Sequence, residues 1–156
     1  MNASQDARTI AVNMLKGSYH LLSRDLEALP DTAFNQSFGP ACRTVADIIC
    51  ELNLVNDHVG LTIRGEELFD WPEGWVKAPA DFRTKETVIA GFKQSFEKFP
   101  ATAEGFTEEQ MLAPIESDGE VTNCFERCRF VALHNWYHSG QLNFIQTMLG
   151  DAAMHW

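Results

Sequence analysis

The chain has 156 residues, 45% of them hydrophobic, and a formal net charge of −10. That length suits one domain with a real core, so a single domain over residues 1–156 is expected. The charge argues against nucleic acid and anionic membrane as partners, because a phosphate-binding surface needs clustered Lys and Arg and the 12 present are scattered.

No apolar run is long enough to span a membrane. The segment Met1-Asn-Ala-Ser-Gln-Asp-Ala-Arg8 has no basic stretch followed by an apolar one, so no secretory signal is expected. A cytoplasmic setting follows. There Cys42, Cys50, Cys124 and Cys128 are expected as reduced core residues.

Helical patterns dominate the chain and strand-type alternation is absent. A first helix is predicted from Gln5 to about Ala28, with Ile10, Met14, Leu15, Tyr19, Leu22 and Leu26 as its apolar stripe; Pro30 ends it. After a loop from Asp31 to Arg43, Thr44-Val-Ala-Asp47 reads as a capping box with Asp in place of Glu. The second helix then runs to about Ile63, with Gly65 near its end. Residues 65–83 form a long irregular segment containing Trp71 and Trp75. Long loops in compact domains are often functional. The two tryptophans are candidates for the mouth or lid of a pocket; the plainer alternative is that they cover the end of the bundle.

A third helix is predicted from about Thr84 to Thr102, with Val88, Phe92, Phe96 and Phe99 on its stripe. Thr107-Glu-Glu-Gln110 caps a short extra helix, and Glu116-Ser-Asp-Gly119-Glu reads as a turn. Thr122 is expected to cap the last long helix and Gly150 to end it. The fold class is therefore all-α: an up-down bundle of four long helices, with a long loop between the second and third and one short extra helix. The aromatic residues of the third helix exceed what one core is expected to absorb, which suggests a homodimer.

The chemistry concentrates in the run His134-Asn-Trp-Tyr-His138-Ser-Gly-Gln141. Residues four apart on a helix share a face, so two imidazoles at that spacing can hold one metal ion from a single rigid element. At ~100° per residue both histidines fall within an apolar arc with Phe130, Val131, Leu142, Ile145, Met148 and Leu149. The opposite side carries Arg129, Ser139, Asn143 and Thr147. A buried imidazole needs a partner, and two together favour a metal over a hydrogen-bonded core pair. Gln141 lies on the same arc and can join or support the site. Arg127, about two turns earlier on the histidine face, can meet an anionic substrate group. A zinc set combining Cys128 with His138 is excluded, because ten residues of helix separate them by ~15 Å.

Further ligands must come from another helix. The second helix offers Asp47, Glu51 and His58. Glu51 and His58 share a face but stand ~10 Å apart along the axis, so one of them reaches the ion. Spacing alone leaves that choice open. His20 stands alone, and His155 is expected to be solvated.

The segments Thr44-Val-Ala-Asp-Ile-Ile-Cys-Glu51, Ile63-Arg-Gly65 and His134-Asn-Trp-Tyr-His138-Ser-Gly-Gln141 together resemble the DinB/YfiT-like family of metal-binding four-helix bundles. The last run is similar to that family's H-x-x-x-H-x-G-Q signature. The family usually carries a third histidine about seven residues into the second helix. Here that position is Glu51, so the resemblance implies a Glu51–His134–His138 site. It implies one divalent transition metal, zinc or nickel first and iron or manganese next. It also implies a metal-dependent thiol S-transferase or hydrolase acting on a small molecule, with a low-molecular-weight thiol as one candidate. A non-catalytic metal-stabilised binding or stress-response module is the alternative.

Overall fold

A computed structural model of the chain describes residues 6–117 and 119–155. The expected helix start at Gln5, the part of the signal reading that rests on Met1–Gln5, and Asp118 of the expected turn lie outside the described residues.

Local capping chemistry sets the helix boundaries. Helix α1 spans Ala7–Ala28; the Asp6 carboxylate accepts from the Thr9 amide at 2.7 Å. A 3-10 turn, Asp31–Asn35, follows and buries Ala33 and Phe34. Helix α2 spans Val45–Arg64 and opens on the reciprocal Thr44–Asp47 box. It closes at Gly65, whose φ of 66° lies in the left-handed region that favours glycine. Helix α3, Lys85–Glu104, opens on Thr84 and Thr87. The short α4, Glu108–Leu112, opens on Thr107 and Gln110. Strands β1, Ile115–Ser117, and β2, Glu120–Thr122, then pair antiparallel. The hairpin is closed by the turn expected there; its strands depart from expectation, because three residues a side carry too little alternation to show in the sequence. Helix α5, Cys124–Met148, is capped by Asn123 rather than Thr122, with Asn123 Oδ1 accepting from the Glu126 amide at 2.9 Å.

Side-chain pairings fix the helix directions. Ser18 meets Asn135 and Asp25 meets Ser139 and Asn143, so α1 and α5 run parallel. Asn56 meets Ser95, and a Cβ at Gly60 would contact Phe99 while one at Gly91 would contact Asn53, so α2 and α3 run parallel as well. Lys16 pairs with Glu104, and Lys85 donates to the Glu27 and Leu29 carbonyls, so α1 and α3 are antiparallel. The expected four-helix bundle is present, but its order is up, down, down, up and not the alternating up-down order expected. Parallel neighbours α2 and α3 need a connection that returns along the bundle, and residues 65–84 supply it.

The core divides into two adjoining clusters. One holds Leu22, Leu26, Phe34, Ile49, Leu52, Phe92 and Leu142; the other holds Leu15, Val59, Phe96, Phe99, Met111 and Val131. Phe92, Phe96 and Phe99 are all buried here, with Tyr19 packed on Phe92 and Phe96. The aromatic residues behind the homodimer expectation are absorbed within one chain. Ile10, expected on the α1 stripe, is exposed.

The rotational phase of α5 also differs from expectation. Ser139 is buried and donates to Asp25, while Phe130 and Met148 are exposed. The polar contacts Asn135–Ser18, Ser139–Asp25 and Asn143–Asp25 form a seam on α1. An average apolar arc cannot register such pairings, because each partner is polar and lies over 100 residues away.

Burial raises the Asp25 pKa, opposed by the Ser139 and Asn143 hydrogen bonds. The folded state therefore holds this proton more tightly than the unfolded chain. The resulting stabilisation is full below the unfolded value of 3.8 and is lost as pH rises through the folded value. Compared with Asp25→Asn, the wild type should gain stability as pH falls from about 7 toward 4. Urea midpoints of both proteins across that range check this; a difference that is flat or of opposite sign refutes it. Asp25→Ala should cost about 1–3 kcal/mol, because it strips the buried Ser139 hydroxyl of its acceptor.

Candidate metal centre

Helices α2 and α5 lie antiparallel and bring Glu51 against His134 and His138. One ligand atom from each residue lies within 4.8 Å of the others. The two histidine Nε2 atoms are 2.9 Å apart. His134 Nε2 stands 3.8 Å from Glu51 Oε1, and His138 Nε2 stands 3.7 Å from Glu51 Oε2. Donors around a tetrahedral ion with bonds of ~2.0–2.1 Å are separated by roughly 3.3 Å. The observed spacings bracket that value, so these three side chains could hold one ion with little movement.

Electrostatics and hydrogen bonding suit the same role. His138 is 1% exposed, His134 16% and Glu51 17%. Burial, then the neighbouring His134, pushes the His138 pKa down to about 4. Burial also lowers that of His134, partly offset by the Glu51 charge. Both rings are thus held neutral, the form that ligates metal. His138 Nδ1 lies 2.8 Å from Gln141 Oε1. An amide oxygen only accepts, so Nδ1 carries the proton and Nε2 keeps its lone pair for the centre. His134 Nδ1 is buried without a partner among the described residues, whereas its Nε2 faces His138 and Glu51. The Glu51 carboxylate also accepts from the Arg43 guanidinium. That guanidinium lies under the Trp75 ring, 4.5 Å from its centroid.

The other candidates fall into place around this core. His58 stands apart from the cluster, edge-on to Phe69 and Trp71. It lines a cavity of about 320 Å³ with Glu51, Trp71, Arg127, Phe130 and His134. Arg127 Nε is buried without a hydrogen-bond partner among the described residues. Asp47 is occupied in holding the fold: it completes the α2 cap, accepts from the Ala78 amide at 2.8 Å, and pairs with Arg83. That tether anchors the loop bearing both tryptophans. His20 is exposed and away from the cluster. His155 bonds to Asp151 at 2.9 Å and is not freely solvated as expected. Cys124 and Cys128 are buried with their sulfurs 4.0 Å apart, outside the centre. Arg43 carries no sequence signal, because it precedes the α2 cap and reaches Glu51 only once that helix has formed. Tyr137, edge-on to His138, was hidden by the shifted phase of α5.

No protein-family model and no curated protein sequence matches the chain. Solved structures do. A DinB-like protein from Bacillus cereus matches with a TM-score of 0.66 at 17% identity, over 88% of this chain and 91% of that one. A DinB-like protein from Bacillus subtilis matches with a TM-score of 0.64 at 13% identity, over 94% and 96%. The colibactin self-resistance protein ClbS, in complex with double-stranded DNA, matches with a TM-score of 0.65 at 18% identity, over 92% and 98%. The chain has the DinB-like fold. The ClbS complex corrects the exclusion of nucleic acid drawn from net charge, since a protein of this fold does hold double-stranded DNA. Net charge is a sum over the whole surface and does not report where basic groups stand. Among the described residues, no helix is long and apolar enough to cross a membrane.

In metal-free protein His138 should stay neutral, with the proton on Nδ1, well below the usual histidine range and titrate at about 4. Nitrogen-15 NMR of the imidazoles reads both the tautomer and the midpoint. Titration near the ordinary histidine value of 6.5 would contradict the buried, desolvated ring.

Proposed function

We propose that this chain is a metal-dependent enzyme of the thiol S-transferase or hydrolase type, with one divalent transition metal held by Glu51, His134 and His138. The convergence of three ligand atoms within 4.8 Å carries this reading. A rigid histidine pair with one carboxylate suits zinc or nickel first, then iron or manganese. When bound, such an ion supplies Lewis acidity and lowers the pKa of a thiol or water that reaches it.

The chain's own residues do the rest. Gln141 fixes the His138 tautomer. Arg43 holds the Glu51 carboxylate in place. Trp71 and His58 line the cavity beside His134, and Phe69 packs against both rings. Arg127 lines this cavity and offers a guanidinium to an anionic substrate group there. Because ClbS is held in complex with double-stranded DNA, a DNA duplex belongs in the same binding assays as small thiols.

Wild type reconstituted with zinc or nickel should retain about one ion per chain. His138→Ala should abolish stoichiometric metal and Glu51→Ala should weaken it severely, whereas His58→Ala should leave it nearly unchanged. Gln141→Leu should reduce affinity ~10–100-fold by freeing the His138 ring. Elemental analysis after dialysis reads all four. Metal lost in His58→Ala but kept in Glu51→Ala would sink the ligand set. In cobalt-loaded protein an added thiol should produce a sulfur-to-cobalt charge-transfer band. A spectrum that no thiol changes would remove the thiol chemistry.

A further inference from the structure

A second cavity, of about 650 Å³, lies beside the centre on the side away from His58. It runs along the exposed C-terminal half of α5 from Tyr137 to Met148, ~16 Å of helix at 1.5 Å per residue. Phe38, Ile48, Phe144 and Ile145 make most of its wall apolar. Its volume falls within the ~300–1,000 Å³ usual for small-molecule sites. Two of its lining residues touch the centre directly: Gln141 bonds to His138, and Arg43 bonds to Glu51.

Among the described residues Arg43 is the one charged residue on this wall, and its side chain is only 10% exposed. Glu51 is the only hydrogen-bond acceptor paired with it among the described residues. A guanidinium offers five N–H donors in a planar fork, so several remain for a ligand. The guanidinium stacks on the Trp75 ring, 4.5 Å from its centroid. Burying a cation with unused donors beside an apolar trough favours a ligand with one anionic head and one apolar body.

The geometry points to a binding site for an amphipathic carboxylate, with its head on Arg43 next to the centre and its aliphatic or aromatic body along Phe144, Ile145 and Met148. Only the claim that this ligand is the centre's substrate rests on the proposed function; occupancy of the groove does not require the metal. Head and body fit opposite ends of the groove, which brings atoms near the carboxylate closest to Glu51 and His138.

The test uses three probes with one ten-carbon chain: decanoate, decanol and decyltrimethylammonium. Each is titrated into metal-free and zinc-loaded protein, with the Gly140 amide followed by NMR and Trp75 by fluorescence. Decanoate should shift Gly140 and bind about tenfold or more tightly than either other probe, as expected for a charge-assisted contact. Arg43→Gln should erase that preference. Phe144→Glu, at an exposed position in the groove, should abolish decanoate binding without unfolding the protein. Equal affinity for all three probes, or an Arg43→Gln variant that keeps the preference, overturns the proposal. So does sedimentation showing a dimer that Phe144→Glu dissociates while decanoate fails to bind, because a second copy then covers the groove. Decanoate binding in a chain that takes up no metal would refute the proposed function and leave the groove standing. Metal uptake without decanoate binding would refute the groove alone.

Discussion

The polar seam between α1 and α5 is the constraint on which the rest depends. Ser18 to Asn135, and Asp25 to Ser139 and Asn143, pin α5 at one rotation about its axis. Satisfying buried polar groups outweighs the apolar preference of single side chains, because an unpaired buried hydroxyl or amide costs about 1–3 kcal/mol. Turning α5 to bury Phe130 and Met148 would break these pairs. The chosen rotation instead buries His138 fully, leaves His134 at the margin, and puts a row of aromatic and aliphatic residues outside.

Much of this was legible in the sequence, for reasons that can be assigned. The Thr44–Asp47 and Thr107–Gln110 starts and the Gly65 stop are local chemistry, carried by residues within one turn. The i, i+4 histidine pair is equally local. Glu51 could not be chosen over His58 by spacing; its place came from the resemblance, and the antiparallel contact of α2 with α5 brings it to the histidines. What stayed hidden was non-local. Arg43 reaches Glu51 across a helix start, and Ser139 meets an acid 114 residues away. The β1–β2 hairpin is too short for alternation to show.

The loop between α2 and α3 joins fold to site. Its course is imposed by parallel α2 and α3, and Phe82 packs so closely on Gly91 that any Cβ there would collide with the ring. The Ala78 amide and Arg83 tie it to Asp47 at the first turn of α2. The same loop delivers Trp71 to one cavity and Trp75 to the other. Both cavities beside the centre are therefore shaped by a segment whose anchor is the Asp47 carboxylate of the α2 capping box.

The division of donors between two helices makes the centre a gauge of their alignment. Two nitrogens ride on α5 and one carboxylate rides on α2. A slip of α2 by a single residue would displace Glu51 by ~1.5 Å along the axis and turn it by ~100°. An ion bridging the pair would resist such sliding and act as a cross-brace between the two halves of the bundle. Changes far from the centre that loosen this register would then first be felt as a weakened grip on the ion.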